Sequence, residues 1–386
     1  MMLLRQVMTI LWETQIGLRN KKLFWLTLIL SFLAGLIPLA IGQTEYGITL
    51  FGFDLEEATF GSAVVEPKVF YGLLFSLIGA FWLTWIASIL GLVSTSGLVP
   101  DLIADGSIEL TVSRPVRRTV VLLSKFLGGL LFMAGQVCVF TLASFFAIGI
   151  QGGGFIAELF LALPIVLVFF SFLSSFCLLM GVLTRSTIAS LLLTILFWFF
   201  LFLLHQVEGT GLFFVASQDI KIERAERIET QLEVRREELA TLPADSNDAD
   251  IERKRQTLVS RIERAEQFLE TTANPQRESA EDNLSWLRPA HQGVLALKTV
   301  LPKTAETMSL LTRQLADSGL AVEEEDDRSL ESLITTSDGQ REMEMVSERL
   351  EEEFAERSVL WILGTSLAFE FFILSIACWR FSRRDF

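Results

Sequence analysis

The chain has 386 residues, of which 51% are hydrophobic and 32 are Phe, and its mean hydropathy is +0.47. That is too apolar for an ordinary water-soluble domain, yet the formal net charge is −14. The two facts agree once the charges are mapped: residues 206–357 hold 34 acids and 19 bases and the remainder 12 and 13, so a nearly neutral membrane part carries one strongly acidic soluble insert.

Several chemistries are excluded at this level. Cys138, Cys177 and Cys378 all fall in apolar segments, so there is no disulfide framework and no CxxC metal spacing. His205 and His291 are too isolated to suggest a metal centre. No GxxxxGK[ST] phosphate loop, GxSxG or HExxH occurs, so the chain is read as a non-enzyme that binds no cofactor of its own. The acidity of the insert argues against nucleic acid as a partner.

In chain order, residues 1–22 have helical periodicity, with Leu4, Val7, Met8, Leu11 and Leu18 on one face and the cluster Arg19, Lys21, Lys22 at the end. This predicts an amphipathic helix on the membrane surface rather than a cleaved signal peptide. Residues 23–42 form the first predicted span. The alternation over 46–53 predicts a short strand pair. Further spans are predicted at 69–97, 119–150, 155–183, 187–204 and 358–379. In the fifth, roughly 14 strongly apolar residues favour insertion by about 4–8 kcal/mol. The fold class is therefore an all-α polytopic membrane protein of six transmembrane helices. Residues 1–205 hold spans one to five, 206–357 an insert, and 358–386 the sixth span with a basic tail.

Lys and Arg set the orientation. With the N-terminus inside, Arg5, Arg19, Lys21, Lys22, Arg114, Arg117, Arg118, Lys125, Arg185, Arg380, Arg383 and Arg384 are cytoplasmic, and the short outside loops receive only Lys68. Both termini are then cytoplasmic and 206–357 is extracytoplasmic. Within the insert, 220–242 and 251–271 read as an antiparallel coiled-coil-like hairpin turning at Pro243. Residues 283–316 form a more apolar segment expected along the membrane surface or over the outer mouth. Residues 341–357 return as a helix that can run on into the sixth span.

Two stretches carry candidate function. The first is the polar island between spans two and three, a cytoplasmic loop over 98–118 with Asp101, Asp105, Gly106, Ser107, Ile108, Glu109, Leu110, Ser113, Arg114, Pro115 and Arg117. Its mixed charges and apolar Ile108 and Leu110 read as a docking surface; positive-inside anchoring is the simpler account of Arg117 and Arg118 alone. The second is Glu370, an acid near the middle of the sixth span, with Gln136 of the third span as a candidate partner. An intramembrane acid faces protein or a water-filled space. It either serves the transport path, as a lining group or a proton acceptor, or fixes packing by a hydrogen bond.

The phrases Asp105-Gly106-Ser107-Ile108-Glu109-Leu110 and Ser113-Arg114-Pro115-Val116, with Lys125 opening the next span, resemble the corresponding loop of type-2 ATP-binding-cassette (ABC) transporter permeases of the exporter-like class. The tail from Trp379 to Phe386 is similar to that family's ending. The resemblance covers 1–205 and 358–386. It implies a permease subunit in the cytoplasmic (inner) membrane, working as a homodimer or with a sister permease. It also implies a separate cytoplasmic ABC ATPase that docks on the loop and carries the ATP and Mg. The insert departs from simple members of the class and leaves the substrate open. It keeps a second reading alive, in which ATPase-driven motion is passed through the insert to an extracytoplasmic protein partner. A proton-coupled secondary transporter using Glu370 is a third reading, disfavoured by the absence of evident inverted repeats.

Overall fold

In a bilayer every backbone N–H and C=O must be satisfied within the protein, so apolar segments span it as helices. A computed structural model describes residues 2–45, 47–55, 62, 65–104, 117–242, 249–315 and 338–383. Among these, six helices are long and apolar enough to cross a membrane: Lys22–Ala40, Pro67–Ile103, Arg118–Ile150, Ala157–Thr184, Thr187–Thr241 and Val359–Ser382. The chain is an all-α polytopic membrane protein, as its hydropathy predicts. It divides into two compact units: 1–203 with 299–326 and 358–386, and 204–298 with 327–357.

The first unit opens with α1 (Met2–Arg19), α2 (Lys22–Gly35) and the short α3 (Ile37–Ala40). The strand pair predicted over 46–53 is a three-stranded antiparallel sheet. In it β1 (Ile41–Gln43) pairs with β2 (Ile48–Leu50), which pairs with β3 (Phe53–Leu55). Span two is α4 (Pro67–Phe81), a π-helical stretch Trp82–Ala87, α5 (Ser88–Thr95), a 3₁₀ turn and α6 (Pro100–Ala104). Then come α7 (Arg118–Ile150), a 3₁₀ turn Ala157–Leu161 leading into α8 (Ala162–Thr184), and α9 (Thr187–Thr241). The short turn between α8 and α9 closes on Arg185 in the left-handed conformation, φ 56°, which ends α8 by a bond from Arg185 N to Gly181 O.

The core of this unit gathers Tyr71, Phe75, Leu83, Leu92, Met133, Phe140, Phe169, Phe170, Trp198, Met308, Leu311 and Leu315. The last three come from α12 (Thr304–Leu315), a segment distant in sequence from the other core residues. It packs against α4 and α8. The single apolar segment predicted over 283–316 is therefore two helices in two units. The break falls at Pro302, which has no N–H to continue a helix. The sixth span, α14 (Val359–Ser382), packs on α8 and α7.

α1 differs in detail from its predicted face. Among its described side chains Ile10, Thr14 and Leu18 are the buried ones, while Met8, Trp12 and Ile16 form an exposed apolar stripe. The buried side meets α7, where Gln15 Nε2 donates to the carbonyl oxygen of Gly128 at 2.8 Å.

The second unit is built on the continuation of α9. α10 (Ala249–Phe268), a π stretch Leu269–Ala273 and α11 (Asn274–Val300) return along it. Ion pairs mark an antiparallel register: Lys254–Glu238 at 3.0 Å, Arg236–Glu266, Arg277–Glu229 at 3.3 Å and Arg288–Asp219 at 2.6 Å. Ala225, Leu232, Leu269 and Ala273 form a small apolar core beneath them. α13 (Asp338–Ala355) joins through Val346, which clusters with Ala216 and Ile220. α13 does not run on into α14: Ser358 is extended at ψ 139°, and its Oγ accepts the N–H of Trp361, starting a new helix.

Candidate functional site

The predicted docking loop is described only at its two ends. Asp105, Gly106, Ser107, Ile108, Glu109, Leu110, Ser113, Arg114 and Pro115 lie outside the described residues. Arg117 is exposed and forms the extended N-cap of α7. Asp101 sits in α6 with its carboxylate shared between two other elements. Oδ2 lies 3.4 Å from Lys21 Nζ at the α1–α2 junction, and Oδ1 accepts from Thr187 Oγ1 at the start of α9 at 3.2 Å. A Cβ at Gly97 would come within 2.5 Å of Asp101 Oδ2, so glycine there makes room for the carboxylate. Half-exposed side chains make such a pair weak, about 0–1 kcal/mol. Its content is positional: one end of the loop is tied to the surface helix and to span five.

The intramembrane candidates have separate partners. Glu370 lies on the buried face of α14 with Ile362, Ser366, Ile373, Ala377 and Phe381, a three-to-four spacing that turns one side of the helix inward. Its Oε2 is 2.7 Å from Ser171 Oγ on α8. Gln136 is fully buried on α7, and its Nε2 donates to the carbonyl oxygen of Ala87 at 3.4 Å. Ala87 closes the π-helical stretch of span two. A π-bulge disturbs the regular i to i−4 ladder, and a donor from a neighbouring helix satisfies a freed carbonyl. Ser88 Oγ serves Leu83 O, five residues back, in the same way at 2.8 Å.

The sequence gives little sign of a third cluster, inside the second unit. Glu208 is fully buried between Lys298 and Arg357, the latter at 2.5 Å. Lys298 Nζ is also 3.0 Å from His205 Nδ1. Arg357 also stacks on Phe354, 4.6 Å from the ring centroid. The cluster joins α9, the end of α11 and Arg357, two residues beyond the end of α13. His205 and Glu208, three apart on one helix, share a face; their cations lie 90 and 149 positions from Glu208. Farther along α9, the Glu223 carboxylate 2.7 Å from Arg349 holds that guanidinium above the usual arginine range.

These clusters fix helices to one another and hold no arrangement of nucleophile and base. No curated protein and no solved structure matches the chain. The family described as ABC-2 family transporter protein matches residues 8–386. That match takes in all six spans, the loop between spans two and three and the acidic insert, and the chain accordingly belongs to the ABC-2 transporter family as a type-2 ABC permease.

Proposed function

We propose that this chain is the membrane-spanning half of an ABC exporter, paired with a second permease copy and driven by a separate cytoplasmic ATPase docked on 98–118. The observation that carries this reading is the family match running through spans, loop and insert alike. The ends of the loop support it. Asp101 is tied to the α1–α2 junction and to α9, so a force on the loop reaches three elements at once. Motion follows ATP only if the ATPase contacts the loop differently in its two states. In this reading the termini and the loop are cytoplasmic, the membrane is the inner membrane, and ATP with Mg resides on the partner. The insert, with its coiled-coil-like hairpin, is extracytoplasmic.

The test is affinity purification of the full-length protein from its native membrane, with ATPase assay of the eluate. A co-purifying ATPase is expected, and it is lost or uncoupled when Asp105→Lys and Glu109→Lys are combined. Unchanged assembly and an unchanged ATPase rate in that variant would overturn the docking role of the loop.

One observation favours a second reading, in which ATPase-driven motion reaches an extracytoplasmic protein. α9 is a single helix from Thr187 to Thr241 and belongs to both units. Replacing 232–265 by a short turn separates the two. Substrate export that survives the deletion supports the transporter; export absent in both forms, with a partner protein lost on deletion, supports transmission.

A further inference from the structure

The contact of Glu370 with Ser171 constrains where a proton sits. Ser171 Oγ is 2.7 Å from Glu370 Oε2 and 2.8 Å from the carbonyl oxygen of Val168, one turn back on its own helix. A serine hydroxyl has one proton to donate, and a carbonyl oxygen only accepts. With the carboxyl ionised, both neighbours of Oγ are acceptors, and one short O···O contact has to share or lack a hydrogen. With the carboxyl protonated, Oε2–H donates to Ser171 Oγ and the serine proton goes to Val168. Both short contacts then hold a full hydrogen bond.

The surroundings point the same way. Among the described residues Glu370 makes no ion pair. α8 carries no Asp, Glu, Lys, Arg or His, and its only titratable group is Cys177. α7 contributes Arg118 and Lys125 near its start and Cys138, while α9 contributes none up to residue 203. α12 brings Glu306 and Arg313, with Lys303 just before it. The Nζ of Lys303 is engaged by Thr365 Oγ1 and by the carbonyl oxygens of Thr299 and Leu301. On α14 itself Cys378 and Arg380 lie two turns or more away. A lone carboxylate with no cation beside it is costly inside a bilayer, whereas a hydrogen-bonded neutral acid is not.

We propose that Glu370 is a proton-binding site, neutral in this conformation, whose proton fastens α14 to α8 through Ser171. Release of that proton to water leaves a carboxylate and a carbonyl competing for one hydroxyl hydrogen, which loosens the contact. Rebinding restores it. The two helices therefore part more readily in the deprotonated state, whatever the substrate of the permease.

The test is infrared spectroscopy of the full-length protein in lipid vesicles at neutral pH, comparing wild type with Glu370→Gln and Ser171→Ala. The wild type is expected to show the C=O stretch of a hydrogen-bonded protonated carboxyl. Glu370→Gln loses that band, and Ser171→Ala shifts it as the hydrogen bond disappears. Absence of the band in wild type, with loss of a carboxylate band in Glu370→Gln, would overturn the proposal. Thermal unfolding supplies a second reading. Glutamine reproduces the neutral acid, since its NH₂ donates to Ser171 Oγ, so Glu370→Gln is expected to unfold near the wild-type temperature while Glu370→Ala unfolds lower. Misfolding of Glu370→Gln, a sign that the charge itself is needed, counts against the site.

Discussion

Gly35 shows how far one residue can decide helix spacing. A Cβ there would lie 2.5 Å from the carbonyl oxygen of Phe140 and 2.7 Å from the Ala143 methyl, so α2 meets α7 almost backbone to backbone. Close approach through small residues is the usual means of packing helices in a bilayer, where lipid is as apolar as leucine. Gly35→Ala forces the two helices apart and is expected to destabilise the first unit by about 1–3 kcal/mol, read as a lower thermal midpoint in detergent. Gln136 acts in the opposite sense, by adding a bond. Gln136→Leu removes the donor to Ala87 O at the π stretch and is expected to cost about 0.6–1.7 kcal/mol. Amide hydrogen exchange around 82–91 should quicken while exchange in α14 does not change; an unaltered pattern would count against this bracing role.

At the scale of elements, the second unit rests on electrostatic contacts of unequal value. Arg236–Glu266 and Lys254–Glu238 stand in water, with more than two-fifths of each side chain exposed. Such pairs contribute about 0–1 kcal/mol each. Glu208 is different, because it is buried with two cations on it. Removing one partner of a buried ion pair costs about 3–5 kcal/mol, since the remaining charges stay desolvated. Glu208→Ala is expected to loosen α9, α11 and α13 together, whereas Glu238→Ala leaves stability within about 1 kcal/mol of wild type. Limited proteolysis of the two variants side by side separates these outcomes. The pairing of α9 with α10 was readable from three-four spacing; the predicted turn at Pro243 lies outside the described residues. The Glu208 cluster was not, because its members are scattered along the chain and only folding brings them together.

For the molecule as a whole, membrane topology is directly measurable. The proposed orientation, drawn from the Lys/Arg bias, puts the tail in the cytoplasm and the insert outside. With the three native cysteines in apolar segments, a cysteine placed at Ser246 is expected to react with a membrane-impermeant maleimide in intact cells. One placed at Ser382 should react only after lysis. The reverse pattern would invert the topology and remove 98–118 as a cytoplasmic docking loop.

Hydropathy, charge and three-four spacing determined the six spans, the insert and its helical hairpin, while the short phrases 105–110 and 113–116 and the tail carried the family resemblance. These depend on local composition and on short repeats of sequence, both of which are properties of contiguous residues. Tertiary structure alone decided that residues 304–315 pack with the spans, that α9 joins both units as one helix, and that α13 and α14 are separate helices meeting at Ser358. It also gave Glu370 and Gln136 different partners, Ser171 and Ala87. A polar side chain inside a bilayer takes whichever donor or acceptor packing brings within about 3 Å, and that proximity is set by how helices far apart in the chain cross.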